Sequence, residues 1–349
     1  WSSDVCSSDL LGSAGWITAT PLVTGVLAAA LMAAVLAAVH HAELVAHKVG
    51  EPLGTLVLAL AVTVIEVALI VTMMLAGGAQ AAAVPRDTVL AAIMIICTGV
   101  VGLCLLVGGW RHREQSFRVE GASAGLSVLI ALATLSLVLP SFTTTTREGT
   151  YSTSQLAFAG AASLVLWLVF VFVQTVRHRG YFLPVDGRHD EAVHAPAPSA
   201  GQAWTAVVLL LVSLVAVIGL AKVLSPTIES WVASVGAPKS VIGIVIAMLV
   251  LLPETVAAIR AAHVNRLQTS LNLAIGSALA SIGLTIPVVA VVAVWFDLPL
   301  QLGVGGKDLV LLMLTFAITT LTLVLGRTTV MQGAVHLVIF AAFLFMSLV

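Results

Sequence analysis

The sequence predicts an all-α membrane protein whose helices cross the bilayer many times. Of its 349 residues, 60% are hydrophobic and only 9% are charged, whereas soluble domains average roughly 45–50% and about 25%. A soluble protein of this size could not cover its surface with so few charges, and disordered chains require the opposite composition. The net charge of -1 provides no positive field for nucleic acid, so no nucleic-acid partner is expected.

Ten apolar runs are long enough to cross the bilayer. A helix needs about 20 apolar residues to span a hydrocarbon core of roughly 30 Å. Such a segment must be helical because its backbone groups find no water to bond, and the alternation typical of a β-barrel is not visible. The predicted spans are 18–39, 54–76, 87–108, 121–140, 154–176, 204–224, 239–258, 270–294, 308–325 and 330–348.

The first ten residues, WSSDVCSSDL, differ from this pattern. They are polar, they include Asp4 and Asp9, and they lack both an initiator Met and the basic start of a signal peptide. We interpret residues 1–10 as a non-native scar and expect the natural N-terminus to be missing. A short polar tail is the alternative interpretation.

The longest polar stretch divides the ten spans into five and five. Residues 177–203 form the predicted linker, and they separate a first five-helix repeat over 11–176 from a second over 204–349. If the two halves are related, an odd number of helices in each half inverts the second half in the membrane. Inverted repeats are a common plan of secondary transporters.

Basic residues in the loops predict the orientation, because cytoplasmic loops carry an excess of Lys and Arg. The richer side is expected to be cytoplasmic, which makes the linker cytoplasmic and directs the C-terminus outward. The richer side collects Lys48, Arg111, Arg113, Arg118, Arg177, Arg179, Arg188, Arg260, Arg266 and Arg327, and the other collects Arg86, Arg147, Lys222, Lys239 and Lys307.

Two carboxylates lie well inside the predicted spans. Among 15 basic and 16 acidic residues, these are Glu66 and Glu254, each in the second span of its half. A charged carboxylate at mid-membrane costs at least ~2.5–3.5 kcal/mol, so it marks an ion pathway or a proton relay by default. A protonated glutamate bonded to a carbonyl is the alternative for either one alone. Their matched positions favour a shared site. His336 lies in the last span and is interpreted as a packed, neutral histidine.

Paired carboxylates suit proton-coupled cation transport. A low dielectric favours the protonated carboxyl group, whereas a cation that arrives between two carboxylates favours the charged form. The same oxygens then hold either protons or a cation, which is the minimal machinery of an antiporter. Hard cations such as Ca²⁺ bind oxygen ligands, so Glu66 and Glu254 are the predicted metal and proton ligands.

Further oxygen ligands are predicted from spacing. Pro253 immediately precedes the second glutamate and predicts a helix break that exposes carbonyl groups. Ser277 and Ser281 lie four residues apart and share a helix face. Thr63, one turn before the first glutamate, and Asn272 complete the candidate set, while helix packing is the alternative reading of the neighbouring glycines.

Three long stretches carry a resemblance to a known family. They are HAELVAHKVGEPLGTLVLALAVTVIEVALI (41–70), LLPETVAAIRAAHVNRLQTSLNLAIGSALASIGLTIPVV (251–289) and GRTTVMQGAVHLVIFAAFLF (326–345). In these stretches the chain resembles the calcium/cation antiporter superfamily, specifically its Ca²⁺/H⁺ exchanger branch. The resemblance implies that Glu66 and Glu254 coordinate the cation and that Ser281 is the serine of the following helix. It also implies a bacterial inner-membrane location and eleven spans, of which the first is expected to be missing here.

The chain departs from the family pattern at several positions. Exchangers of this branch have an Asn three residues before each acidic residue, where this chain has Thr63 and Leu251. The family's Ser-Asn pair in the third repeat helix is Gly102-Leu103 here. Fewer neutral oxygen ligands weaken the case for strict Ca²⁺ selectivity.

The sequence as a whole predicts a secondary antiporter that exports Ca²⁺ in exchange for H⁺ by alternating access. Its expected partners are inorganic cations, protons and the lipid bilayer, with no cofactor. A Na⁺(K⁺)/H⁺ antiporter of the same fold is the alternative. An intramembrane enzyme is disfavoured because no HExxH motif and no paired aspartates occur in a span, and the missing P-loop argues against a nucleotide.

Overall fold

The computed structural model of the chain describes residues 21–49, 53–183, 198–234, 236, 238 and 240–348. Within these residues, ten helices are long and apolar enough to cross a membrane. The predicted fold class is therefore confirmed. The predicted scar at 1–10 and residues 184–197 of the predicted linker lie outside the described ranges.

The ten helices follow one another in chain order. Two 3₁₀ turns, Gly78–Ala81 and Arg179–Phe182, and an antiparallel pair of two-residue strands, β1 (Gln115–Ser116) and β2 (Arg327–Thr328), lie between them. The helices are α1 (Pro21–Val49), α2 (Leu53–Gly77), α3 (Val84–His112), α4 (Val119–Ser141), α5 (Thr153–Arg177), α6 (Ala200–Ser234), α7 (Ser240–His263), α8 (Leu267–Trp295), α9 (Gly306–Val324) and α10 (Val330–Leu348).

Two helices extend 10 residues beyond their predicted ends. α1 ends at Val49 instead of 39, and α6 ends at Ser234 instead of 224. The apolar run that defined each predicted boundary marks the edge of the hydrocarbon core, whereas a helix continues into the headgroup region wherever its residues tolerate helical geometry. Gly236, whose φ of 67° lies in the left-handed region, follows the end of α6.

The third helix of each half lies at the centre of the bundle. Within their most apolar windows, 89% of α3 and 67% of α8 is buried, against 22% for α1 and α6. α8 packs against α2, α4, α5 and α7, and α3 packs against α7, α8 and α10. The core of the molecule is therefore formed around these two helices, while the first helix of each half lies at the periphery.

Helices at the same position in the two halves have corresponding packing partners, when α1–α5 are matched in order with α6–α10. α5 packs on α8 as α10 packs on α3, and α2 contacts α8 as α7 contacts α3. α1 and α6, which correspond to each other, pack along one another. Two structurally equivalent five-helix units related by a twofold axis would produce this pattern of partners.

In two helices, a wide π-type turn contains a carbonyl group that accepts a hydrogen bond from a His or Tyr side chain. In α3 the turn covers Ile95–Val100, and the Cys97 carbonyl lies 2.7 Å from Nδ1 of the buried His336. A carbonyl oxygen only accepts, so Nδ1 of His336 donates, and its Nε2 lies 3.0 Å from the Thr322 hydroxyl. In α4 the hydroxyl of Tyr151 donates to the Leu135 carbonyl at 2.6 Å. Burial raises the pKa of Tyr151 to about 12, so its phenol remains a donor.

α3 and α10 approach each other through small residues. A Cβ atom added to Gly333 would lie 2.5 Å from the backbone nitrogen of Leu106 and 2.9 Å from the carbonyl oxygen of Gly102. Backbone atoms cannot move aside as a flexible side chain can. The contact between these helices therefore requires glycine at position 333.

We expect Gly333→Ala to destabilise the protein, because the added methyl group must push α10 away from α3. Overpacking of this kind costs roughly 1–3 kcal/mol, which thermal melting of the purified protein would register as a lower Tm. Gly219→Ala is the matched control, since a Cβ at this position of α6 meets nothing within 4 Å. An unchanged Tm for Gly333→Ala would contradict the close contact.

Candidate functional site

Glu66 meets α8 through a serine hydroxyl. α2 carries Glu66 into the interior, where its side chain is only 2% exposed. Ser281 of α8 donates from Oγ to Oε1 of Glu66 at 2.7 Å. The bond joins residues 215 positions apart, one from each half of the chain. It therefore links the first five helices to the second five at the depth of the carboxyl group.

Glu254 meets the same helix one turn away. α7 carries Glu254, which is 6% exposed, and Ser277 of α8 donates from Oγ to its Oε2 at 2.5 Å. Pro253 lies inside α7, which continues from Ser240 to His263. The predicted helix break is therefore wrong, and neighbouring groups in a packed bundle explain how a proline is tolerated within a membrane helix.

The two carboxyl groups lie against one face of α8. Residues four apart on a helix have Cβ atoms roughly 5–6 Å apart, so the hydroxyls of Ser277 and Ser281 bring the carboxyl groups of Glu254 and Glu66 to adjacent turns. Each bond uses one carboxylate oxygen and leaves the second oxygen of each glutamate for another ligand. A shared site at the two glutamates stays a prediction, which this geometry supports.

The other two predicted ligands bond elsewhere. Thr63 is buried and donates to the Ala59 carbonyl of its own helix at 2.8 Å, so its hydroxyl can offer only lone pairs. Asn272 donates to the Phe182 carbonyl at 2.6 Å and accepts from Gln268 at 2.9 Å. The structure therefore brings Ser277 and Ser281 to the glutamates and engages Asn272 in a polar network near the start of α8.

Sequence reasoning missed one hydroxyl close to this site. Thr285 follows Ser281 by four residues and is completely buried. The four-residue spacing of Ser277, Ser281 and Thr285 is the signal that would have identified it.

α3 is the third helix of the first half and corresponds to α8 in the second. Its polar groups make different contacts from those of α8. The hydroxyl of Thr98 donates to the Met94 carbonyl of its own helix. Gly102 lies against α10, because a Cβ there would be 3.0 Å from side-chain atoms of His336 and Leu337. The hydroxyls that bond the two glutamates thus come from α8.

Ion pairs lie at helix ends rather than at the glutamates. Within the described ranges, Arg86 pairs with Asp87 at 2.8 Å at the start of α3, and Arg327 pairs with Glu114 at 3.3 Å near the strands. The charge of an ionised Glu66 or Glu254 therefore has neutral hydroxyl partners in the described part of the chain. A low-dielectric site of this kind favours whichever positive species, proton or cation, reaches the oxygens.

Comparisons with known proteins find similar sequences and structures over most of the chain. The family described as sodium/calcium exchanger protein matches residues 19–176 and 205–349. The putative ionic transporter y4hA of Sinorhizobium fredii is 50% identical over 97% of this chain and 88% of its own length. The sodium-potassium/proton antiporter ChaA of Escherichia coli is 34% identical over 92% of this chain and 86% of its own length. The solved structure of native YfkE superposes with a TM-score of 0.72 at 19% identity, covering 97% of this chain and 95% of that one.

We expect a double-mutant cycle to separate the two serine–glutamate bonds. Ser281→Ala with Glu66→Gln, and Ser277→Ala with Glu254→Gln, should each show a coupling of roughly 0.5–3 kcal/mol, because each pair shares a hydrogen bond. The measurement is the change in unfolding free energy of the purified variants. The crossed pairs, Ser281→Ala with Glu254→Gln and the reverse, serve as controls and should couple less. Stronger coupling in the crossed pairs would overturn the assignment of partners.

Proposed function

The chain belongs to the family of sodium/calcium exchanger proteins, and we propose on this premise that it exchanges Ca²⁺ for H⁺ at Glu66 and Glu254. Members of the family are secondary transporters rather than enzymes. The multi-pass fold is that of a membrane protein. The proposal concerns which ions are exchanged and which residues hold them.

The observation that carries the proposal is the pair of buried glutamates bonded to one face of α8. Two carboxylates hold two negative charges, which one Ca²⁺ or two protons neutralise equally. Because an unneutralised charge is costly in a low-dielectric interior, the site has two favourable states, one cation-bound and one doubly protonated. Exchange between these states is Ca²⁺/H⁺ antiport.

The serine hydroxyls have a part in both states. In the protonated state, Ser277 and Ser281 hold the carboxyl groups on adjacent turns of α8. In the cation-bound state, the same hydroxyl oxygens can rotate to contribute neutral ligands of the kind that Ca²⁺ prefers. The lone pairs of Thr63 offer a further oxygen from α2, whereas Asn272 would act through the polar network near the start of α8.

Alternating access follows from the arrangement in two halves. We propose that 11–176 and 204–349 are inverted repeats that move relative to each other around the glutamates. The corresponding helix contacts of the two halves support this arrangement. The excess of loop Lys and Arg supports a cytoplasmic linker and an outward C-terminus. The similarity to bacterial transporters supports a bacterial inner-membrane location.

A second candidate substrate is a monovalent cation, Na⁺ or K⁺. Leu251 is buried and apolar where a Ca²⁺/H⁺ exchanger would supply an Asn oxygen, and the hydroxyl of Thr63 is engaged with its own helix. One Na⁺ together with one proton would also neutralise two carboxylates. The similarity to ChaA, a sodium-potassium/proton antiporter, favours testing this substrate beside Ca²⁺.

We expect Glu66→Gln and Glu254→Gln each to abolish exchange while leaving the protein folded and inserted. Gln keeps the shape and the hydrogen-bonding capacity of the side chain but neither cycles a proton nor offers a charge. Cation-driven changes of ΔpH in inverted vesicles measure the activity, and Glu148→Gln, which alters an exposed carboxylate, is the control. A variant that retains more than about a tenth of wild-type exchange, or ~1.4 kcal/mol of barrier, would remove that glutamate from the site.

We expect the rate of exchange to increase with pH. The pH at which exchange is half-maximal should fall as the cation concentration rises. Protons and the cation compete for the same carboxylate oxygens, so lowering the proton concentration favours the cation. Transport is measured against pH at several concentrations of Ca²⁺, Na⁺ and K⁺ in parallel. A midpoint independent of cation concentration would show that the ions use separate sites. Tight Ca²⁺ dependence without monovalent transport would reject the second candidate.

A further inference from the structure

Two buried hydroxyls of α8, those of Ser270 near its start and Thr285 next to the glutamate site, lack a hydrogen-bond partner in the described part of the chain. Other buried threonines have partners. Thr88 donates to the Val84 carbonyl and Thr319 to the Thr315 carbonyl of their own helices, and Thr322 lies within hydrogen-bond distance of His336. An unpaired buried hydroxyl is unfavourable, so its presence calls for an explanation.

Thr285 continues the row of hydroxyls that bonds the two glutamates. Three hydroxyls lie on nearly the same side of α8, because they follow one another at intervals of four residues: Ser277, Ser281 and Thr285. Ser277 bonds Glu254 and Ser281 bonds Glu66. Thr285 is therefore the next hydroxyl of the row, one turn beyond the Glu66 bond toward the Trp295 end of α8.

Contacts between α2 and α8 lie on both sides of this turn and place it beside α2. Beyond the bond between Glu66 and Ser281, the buried residues Ile70 and Met74 of α2 form one cluster with Val289 and Ala293 of α8. Thr285 lies between these two levels of contact on α8. Its hydroxyl is thus within about one helical turn of the Glu66 carboxyl group, on the side of that group away from Ser277.

We propose that Thr285 is a further cation ligand of the antiporter, a neutral oxygen that receives the ion next to Glu66. The inference rests on the proposed function and extends the site from two hydroxyls to three. A hydroxyl without a competing intrahelical bond can direct its lone pairs to a hard cation, either Ca²⁺ or Na⁺. Thr285 also supplies a neutral ligand in a chain whose Leu251 has lost the amide of the family pattern.

The test compares Thr285→Val, which keeps the shape but removes the hydroxyl, with Thr285→Ser, which keeps the hydroxyl. We expect Thr285→Val to raise the Ca²⁺ concentration for half-maximal exchange by about tenfold, with Thr285→Ser close to wild type. The full chain is assayed in vesicles with Ca²⁺, and with Na⁺ in a parallel arm. Thr319→Val is the matched control, because it removes a buried hydroxyl that bonds its own helix.

A second readout on the purified chain separates a ligand from an unpaired polar group. The increase in Tm on addition of Ca²⁺ or Na⁺ should be smaller for Thr285→Val than for wild type. This holds whether the variant's Tm without cation is higher or lower than that of wild type. A variant that melts higher than wild type without cation, and has the same half-maximal concentration, would overturn the proposal. This result counts against the proposal when the wild type exchanges ions and Glu66→Gln abolishes that exchange. Failure of the proposed function itself would instead appear as a wild type without cation-driven proton movement.

Discussion

Two carboxyl groups inside a membrane bundle are the constraint on which the rest of this structure depends. Without water, each group requires a hydrogen-bond donor, a proton or a cation. α8 supplies a donor to both, because Ser277 and Ser281 lie on adjacent turns of one face. A helix that serves Glu66 on α2 and Glu254 on α7 must pack between them. The same requirement accounts for the deep burial of α8 and for its contacts with both partner helices.

The third helices of the two halves occupy equivalent places in the contact pattern but have different chemistry. α8 presents hydroxyls to the glutamates, whereas in α3 the hydroxyl of Thr98 returns to its own backbone and Gly102 packs against α10. α3 instead contains a wide turn whose Cys97 carbonyl is bound by His336. α8 thus supplies hydroxyl donors to the glutamates, and α3 supplies a close helix contact.

The sequence predicted those features that depend on local pattern. Apolar runs of sufficient length predicted the ten described helices. The position of Glu66 and Glu254 inside such runs predicted that their carboxyl groups are buried. Four-residue spacing predicted the shared face of Ser277 and Ser281. Partners that come from distant segments were beyond such reasoning, as with Asn272, whose amide binds the Phe182 carbonyl. The continuity of α7 through Pro253 likewise depends on neighbouring helices.

The two serine–glutamate bonds differ in what they connect. Ser277 and Glu254 belong to the second half, so their bond moves with that half as a unit. Ser281 and Glu66 come from different halves, so any relative movement of the halves must stretch or break their bond. In the proposed mechanism, a proton on Glu66 keeps a neutral contact between the halves, while a cation replaces that contact with ligands from both sides. Under this mechanism, occupancy of Glu66, rather than of Glu254, would connect the bound ion most directly to the conformation of the transporter.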